Sequence, residues 1–119
     1  MEYTDILKSI GLAARARKVV FGSELTIESI GQNKAKLVLV SDDASQNTRK
    51  KVLRYCEENN AEHHILGCDG GTLAHALGKA KPLAVVCITD ENLSALIKSK
   101  LGKMTENNAS LMTFSESEV

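Results

Sequence analysis

The sequence predicts an α/β protein, a three-layer α/β/α sandwich built around a sheet of about four strands. Two runs, residues 35–40 ("AKLVLV") and 83–88 ("LAVVCI"), are apolar nearly throughout, the pattern of strands covered on both faces. Strand-like runs alternate with segments of about 10–15 residues that carry helical periodicity, which places helices on both sides of one sheet. The chain has 119 residues, 43% of them hydrophobic, enough for one domain with a real core. Aromatic residues make up only 3% and Trp is absent, so Leu, Ile, Val and Ala must build that core.

Taken in order, residues 4–17 suit a helix that Thr4 or Asp5 caps, with Ile6, Leu7, Ile10, Ala13 and Ala14 at helical spacing. Residues 18–22 ("KVVFG") read as a short strand ended by Gly22. Ser23 then caps a helix over residues 24–32, with Leu25, Ile27 and Ile30 available for burial and Gly31 and Asn33 at its end. After the strand at 35–40, a helix starts near Asn47 or Thr48 and runs to Asn59, turning Val52, Leu53 and Cys56 inward. "EHHIL" is a less regular strand. "DGGTLAHALGKA" is a glycine turn, a Thr72 cap and a short helix through Leu73, Ala76 and Leu77. The strand at 83–88 follows, and Thr89 or Asp90 caps a last helix with Leu93, Leu96, Ile97 and Leu101 as its stripe.

The globular part is expected to span residues 1–104. Residues 105–119 ("TENNASLMTFSESEV") hold three glutamates and no Lys or Arg, and their unpatterned polarity predicts a disordered acidic tail. The formal net charge of zero therefore hides a small positive excess on the rest of the chain. No run approaches the roughly 20 apolar residues of a membrane span, and the first ten residues lack a signal-peptide pattern; a cytoplasmic protein is expected. Three cysteines without C-x-x-C spacing suit reduced thiols. His63 and His64 point to opposite faces of a strand and cannot easily share an ion with Cys68, so neither a metal nor a cofactor is expected.

Three features could carry chemistry. Gly22-Ser23 opens a helix directly after a strand, where free N–H groups and the helix dipole favour an anion, although "FGSELT" matches no nucleotide-binding motif and an ordinary cap would look the same. Asp42 and Asp43 follow the carboxyl end of a buried strand and could hold Mg²⁺, or could be plain turn residues. Basic residues cluster near turns: Arg15, Arg17 and Lys18; Lys34 and Lys36; Arg49, Lys50, Lys51 and Arg54; Lys79 and Lys81. Several such clusters suit a polyanion, and the absence of interleaved aromatics argues against stacking on single-stranded bases. Structured RNA contacted through its phosphates fits this pattern better.

The order of elements, with "GLAARARKVVFG", "AKLVLVSDDASQNTRKKV", "LGKA" and "LAVVCITD", resembles the bacterial YlxQ-type family within the superfamily of ribosomal proteins that bind kink-turn RNA. The likeness covers about residues 4–101. It implies a mixed four-stranded sheet and a non-catalytic, ribosome- or translation-associated RNA-binding protein, most simply a monomer. It also implies an RNA groove between the N-terminus of the second helix and the loop after the fourth. Carried over by position, that groove includes Gly22, Ser23, Glu24 and Thr26, with Asp43 on the same edge and Gly78, Lys79 and Lys81 opposite; Arg17, Lys18 and Lys36, from the basic clusters, are expected beside the helix start.

The strong binders of the superfamily read Gly-[Thr/Ser]-Asn-Glu-x-x-Lys at this helix. Here Glu24, Leu25 and Glu28 stand at the Asn, Glu and Lys positions. Lys79 and Lys81 likewise stand where those proteins pack apolar residues on an extruded base. A rival from the same superfamily is a protein–protein adaptor that dimerises, as Gadd-type stress proteins do, and an exposed Leu25 would favour it. An enzyme is a third reading, and it requires Asp42 and Asp43 to converge with a base in a closed pocket.

Overall fold

The computed structural model describes residues 2–102; the tail expected at 105–119, and Lys103, lie outside them. The elements are α1 (Glu2–Arg15), β1 (Val19–Phe21), α2 (Ser23–Gly31), β2 (Leu37–Val40), α3 (Gln46–Asn59), β3 (His63–Ile65), α4 (Gly70–Ala76) and β4 (Val85–Ile88). Residues 91–102 form α5, which reaches the last described residue. The sheet order is β1-β4-β2-β3. β4 runs antiparallel to both β1 and β2, while β2 and β3 are parallel, so the sheet is mixed.

Alternation along the strands sorts the core into two layers. Leu37, Leu39, Val86 and Ile88 face Ile6, Ile10 and Ala13 of α1, Leu73 of α4, and Ile97 and Leu101 of α5. Val38, Val40, Val85 and Cys87 face Ile30 of α2 with Val52 and Cys56 of α3. Every residue of β2 and β4 is buried, as the unbroken apolar runs predicted. Each such Leu, Ile or Val contributes about 1.5–3 kcal/mol relative to exposure. Burial pushes the Cys87 thiol up to about 12, with Cys56 nearby, and the Cys56 thiol up to about 11, with the Glu57 charge adding to it. Both are inert core hydrophobes rather than nucleophiles.

The helix starts differ from the sequence expectation in an informative way. Ser45 caps α3, its hydroxyl accepting from the Thr48 amide at 3.2 Å, so the helix begins before Asn47. Asp69 caps α4, accepting from the Thr72 amide at 2.7 Å, which draws Gly70 and Gly71 into the helix. Those bonds from the Thr72 amide and hydroxyl hold the Asp69 carboxyl below its usual 3.8. The cap is therefore complete above that value and is lost as pH falls through the lowered one. Asp90 caps α5 through the Leu93 amide at 2.8 Å. At α3 and α4 a polar side chain two or three positions earlier takes the start, since Ser and Asp cap at least as well as Thr or Asn, while Asp90 is one of the two caps expected for α5.

Gly70 lets α4 meet the end of the loop that returns to β4: an added Cβ would stand 2.8 Å from the Leu83 carbonyl oxygen. That oxygen belongs to backbone and cannot step aside. Gly70→Ala should lower the thermal midpoint, at a cost of about 1–3 kcal/mol; a midpoint equal to that of the parent would show that the loop can yield.

Candidate nucleic-acid interface

The strand directions put the ends of β1, β2 and β3 and the start of β4 on one edge of the sheet. β1 finishes at Phe21, and Gly22 follows with φ 94° and ψ 158°, a backbone conformation that only glycine adopts readily. The Gly22 amide donates to the Val85 carbonyl at 2.9 Å, which ties the end of β1 to the start of β4. In this conformation Gly22 itself is the N-cap residue, and Ser23 is the first residue of α2 rather than its cap.

No side chain caps α2. Its first intrahelical bond runs from the Thr26 amide to the Gly22 carbonyl at 3.1 Å. The amides of Ser23, Glu24 and Leu25 have no acceptor among the described residues. α3, α4 and α5, by contrast, each begin on a capping side chain. Three open donors at the positive end of a helix dipole form a seat for an anion. Glu24 is exposed on the same turn.

The opposing wall comes from the loop after α4. Gly78 takes a left-handed turn at φ 73°, closed by the Gly78 amide on the His75 carbonyl at 3.1 Å and the Lys79 amide on Ala74 at 2.8 Å. The turn brings the Lys79 ammonium to 4.3 Å from the centre of the Phe21 ring. This cation–π contact, worth about 0.5–1 kcal/mol at an exposed site, pins the loop against the strand that leads into Gly22. Beside this contact, between α1 and the α4 loop, lies an open groove of about 480 Å³ whose walls include Gly11, Arg15, Phe21, His75, Gly78 and Lys79 and no residue of α2. Its lining contains no carboxylate. Lys81 stands exposed two residues further along the same loop.

Several candidates fall elsewhere. Arg17, Lys18 and Lys36 lie at the opposite edge of the sheet, not beside the α2 start. The Lys18 carbonyl accepts from Thr89, and the Lys36 amide donates to Ile88, so both flank the far end of β4. Only three residues separate Lys18 from Gly22 in sequence, but they are the strand β1, and three residues of strand span roughly 10 Å. Thr26 is 0% exposed, and its hydroxyl has no partner among the described residues. It shares the inward side of α2 with Ile30 and cannot meet a ligand at the surface. Asp43 does lie on the candidate edge, yet its carboxylate is committed: Oδ1 accepts from the Ser41 hydroxyl at 3.0 Å and from the Gly70 amide at 2.9 Å. It clasps the β2–α3 loop to the start of α4. Asp42 receives Arg49 on its backbone carbonyl at 3.0 Å, and neither aspartate lines the groove. Leu25 is 53% exposed beside the open amides. Among the described residues, no three His, Cys, Asp or Glu side chains gather as a metal would need, and no helix is long and apolar enough to cross a membrane.

Phe21 is a groove residue that the sequence did not single out, and Arg15 appears there only within a basic cluster; the packing of α1 on α4 and the turn at Gly78 bring the two together.

A mixed four-stranded sheet with helices on both faces is a fold with known relatives. The model of the ribosomal protein L7Ae/L30e/S12e/Gadd45 family matches residues 4–98, and the chain belongs to that family. It is similar to the RNA-binding protein YlxQ of Bacillus subtilis, 39% identical over 101 residues that cover 85% of this chain and 96% of that one. It is also similar to the large ribosomal subunit protein eL30 of Methanocaldococcus jannaschii, 28% identical over 100 residues, 82% of this chain and 88% of the relative. Among solved structures, a protein of unknown function from Bacillus halodurans superposes with a TM-score of 0.77 at 29% identity, covering 82% of this chain and 96% of the other.

The Gly22 backbone makes a direct prediction. A Cβ there would meet nothing within 4 Å, so any penalty comes from conformation rather than from a clash. Gly22→Ala should destabilise the fold by about 1–3 kcal/mol, measured by denaturant titration. A cost near zero would mean that the strand-to-helix turn tolerates another conformation and that the α2 amides are not held in place by it.

Proposed function

We propose that this chain is a non-catalytic RNA-binding protein that takes the backbone of a structured RNA into the groove between the N-terminus of α2 and the loop after α4. The carrying observation is the uncapped start of α2, with three amides free of acceptors among the described residues, which begins two residues after Phe21, the ring that holds Lys79 of the α4 loop. Family membership and the RNA-binding name of the Bacillus subtilis relative support the same reading.

In this reading the amides of Ser23, Glu24 and Leu25 receive a phosphate oxygen. Arg15, Lys79 and Lys81 supply salt-sensitive contacts, and Gly22 and Gly78 let RNA backbone come close. Asp43 holds the edge in shape without touching the ligand. Arg17, Lys18 and Lys36 act through the long-range field rather than by contact. Glu24, Leu25 and Glu28 leave little to read base edges with, so recognition falls on backbone shape. A sharply bent RNA of the kink-turn class, associated with the ribosome or translation in the cytoplasm, is the partner this shape suits. The adaptor reading retains one specific support, the 53% exposure of Leu25.

A titration against a kink-turn RNA and a plain duplex of equal length, at about 50 and 200 mM salt, tests the proposal. The double variant Lys79→Ala/Lys81→Ala should weaken binding and lower the salt slope by roughly one unit per lost contact. A slope equal to that of the parent would remove those lysines from the interface. Leu25→Asp separates the rival, because it should abolish a protein partnership while leaving RNA affinity within a few-fold.

A further inference from the structure

The RNA groove continues, through Gly11, Arg15 and Ala76, into a second open groove of about 500 Å³ along α1. Its floor is apolar: Leu7, Leu12 and Ala76, with Leu12 55% exposed. Its rim is cationic, formed by Lys8 and Arg15, and its lining has no carboxylate. Gly11 keeps α1 and α4 close here, since a Cβ on it would stand 3.0 Å from the Ala76 carbonyl oxygen.

The described chain ends on α1 too, on its Asp5–Ser9 flank, across the helix from this groove. Leu101 of α5 packs with Ile6 and Ile10, and the Lys100 ammonium donates to the Ser9 hydroxyl at 2.7 Å and pairs with Asp5 at 3.3 Å. The sequence that follows contains Leu111, Met112 and Phe114, then Glu116 and Glu118. An apolar trio followed by two acids complements an apolar floor with a basic rim. The connection is long enough: nine residues from 102 to 111 span up to about 30 Å, whereas α1 from Thr4 to Arg15 measures about 17 Å.

We propose that residues 111–118 dock in the groove between α1 and α4, seating Leu111, Met112 and Phe114 on Leu7 and Leu12 and placing Glu116 and Glu118 against Lys8 and Arg15. Tethering gives the segment an effective concentration of order millimolar, so modest contacts suffice. Because Arg15 belongs to both grooves, the docked acids compete with phosphate for it. That second step rests on the RNA-binding reading above, whereas the docking does not.

The chain lacks tryptophan, so Phe114→Trp in the full chain provides a single reporter. Docking predicts emission at shorter wavelength than a water-exposed indole and protection from acrylamide, independent of protein concentration. Adding Leu12→Asp, at an exposed position, or Glu116→Lys/Glu118→Lys should return the emission to that of an exposed indole. Water-like emission in the single variant, or no response to either addition, overturns the docking. A blue shift that grows with protein concentration assigns the groove to a second copy and overturns it as well. The triple variant Leu111→Ser/Met112→Ser/Phe114→Ser should bind duplex RNA several-fold more tightly than the parent. Unchanged affinity alongside a buried indole overturns the competition alone, and a parent chain that binds no RNA overturns the RNA-binding reading while the tryptophan still decides the docking.

Discussion

Gly22 donates its amide to the Val85 carbonyl, and the geometry of the functional edge depends on that bond. It joins the last residue before α2 to the first residue of β4, and β4 is the strand inserted antiparallel between β1 and β2. Because β4 runs against its neighbours, the loop that enters it arrives at the same edge where β1 ends. Phe21 and Lys79, 58 positions apart in the chain, thereby meet. A parallel β4 would carry the α4 loop to the far edge and leave the open α2 amides without an opposing wall.

The remaining contacts at this edge set its shape. Asp43 clasps the β2–α3 loop to the amide of Gly70. Gly70 approaches the Leu83 backbone, and the Leu83 amide returns to the Gly70 carbonyl at 3.0 Å. The Ser41 amide meets the Ala84 carbonyl at 2.8 Å. The β4 end of the α4–β4 loop is thus held by backbone at Leu83 and Ala84, and Lys79 is held by the Phe21 ring. An acidic residue at the edge need not oppose an RNA site: the Asp43 charge is spent on two donors of the protein itself.

Much of this was legible in the sequence. The strands at 37–40 and 85–88 could be read because both faces are apolar, and the helices of α1, α3 and α5 because their apolar spacing is regular. The family followed from motifs such as "GLAARARKVVFG" and "AKLVLVSDDASQNTRKKV". What failed were readings that needed a third dimension. Arg17 and Lys18 are neighbours of Gly22 in sequence, and a three-residue strand carries them to the other edge. Thr26 looked like a free hydroxyl on the first turn, yet its angular position buries it. Ser23 looked like a cap because serine often is one, but the Gly22 dihedrals shifted the helix start by one residue. Phe21 joins the site only through packing between elements distant in sequence, for which no local signal exists, and the same packing separates Arg15 from its cluster neighbours Arg17 and Lys18.

Amide chemical-shift mapping during titration with a structured RNA tests the location of the interface most directly. Binding at this edge predicts the largest shifts at Ser23, Glu24, Leu25, Gly78 and Lys79, with Arg17, Lys18 and Lys36 little changed. Largest shifts at Arg17, Lys18 and Lys36, with the α2 amides still, would contradict it and move the RNA to the opposite edge of the sheet.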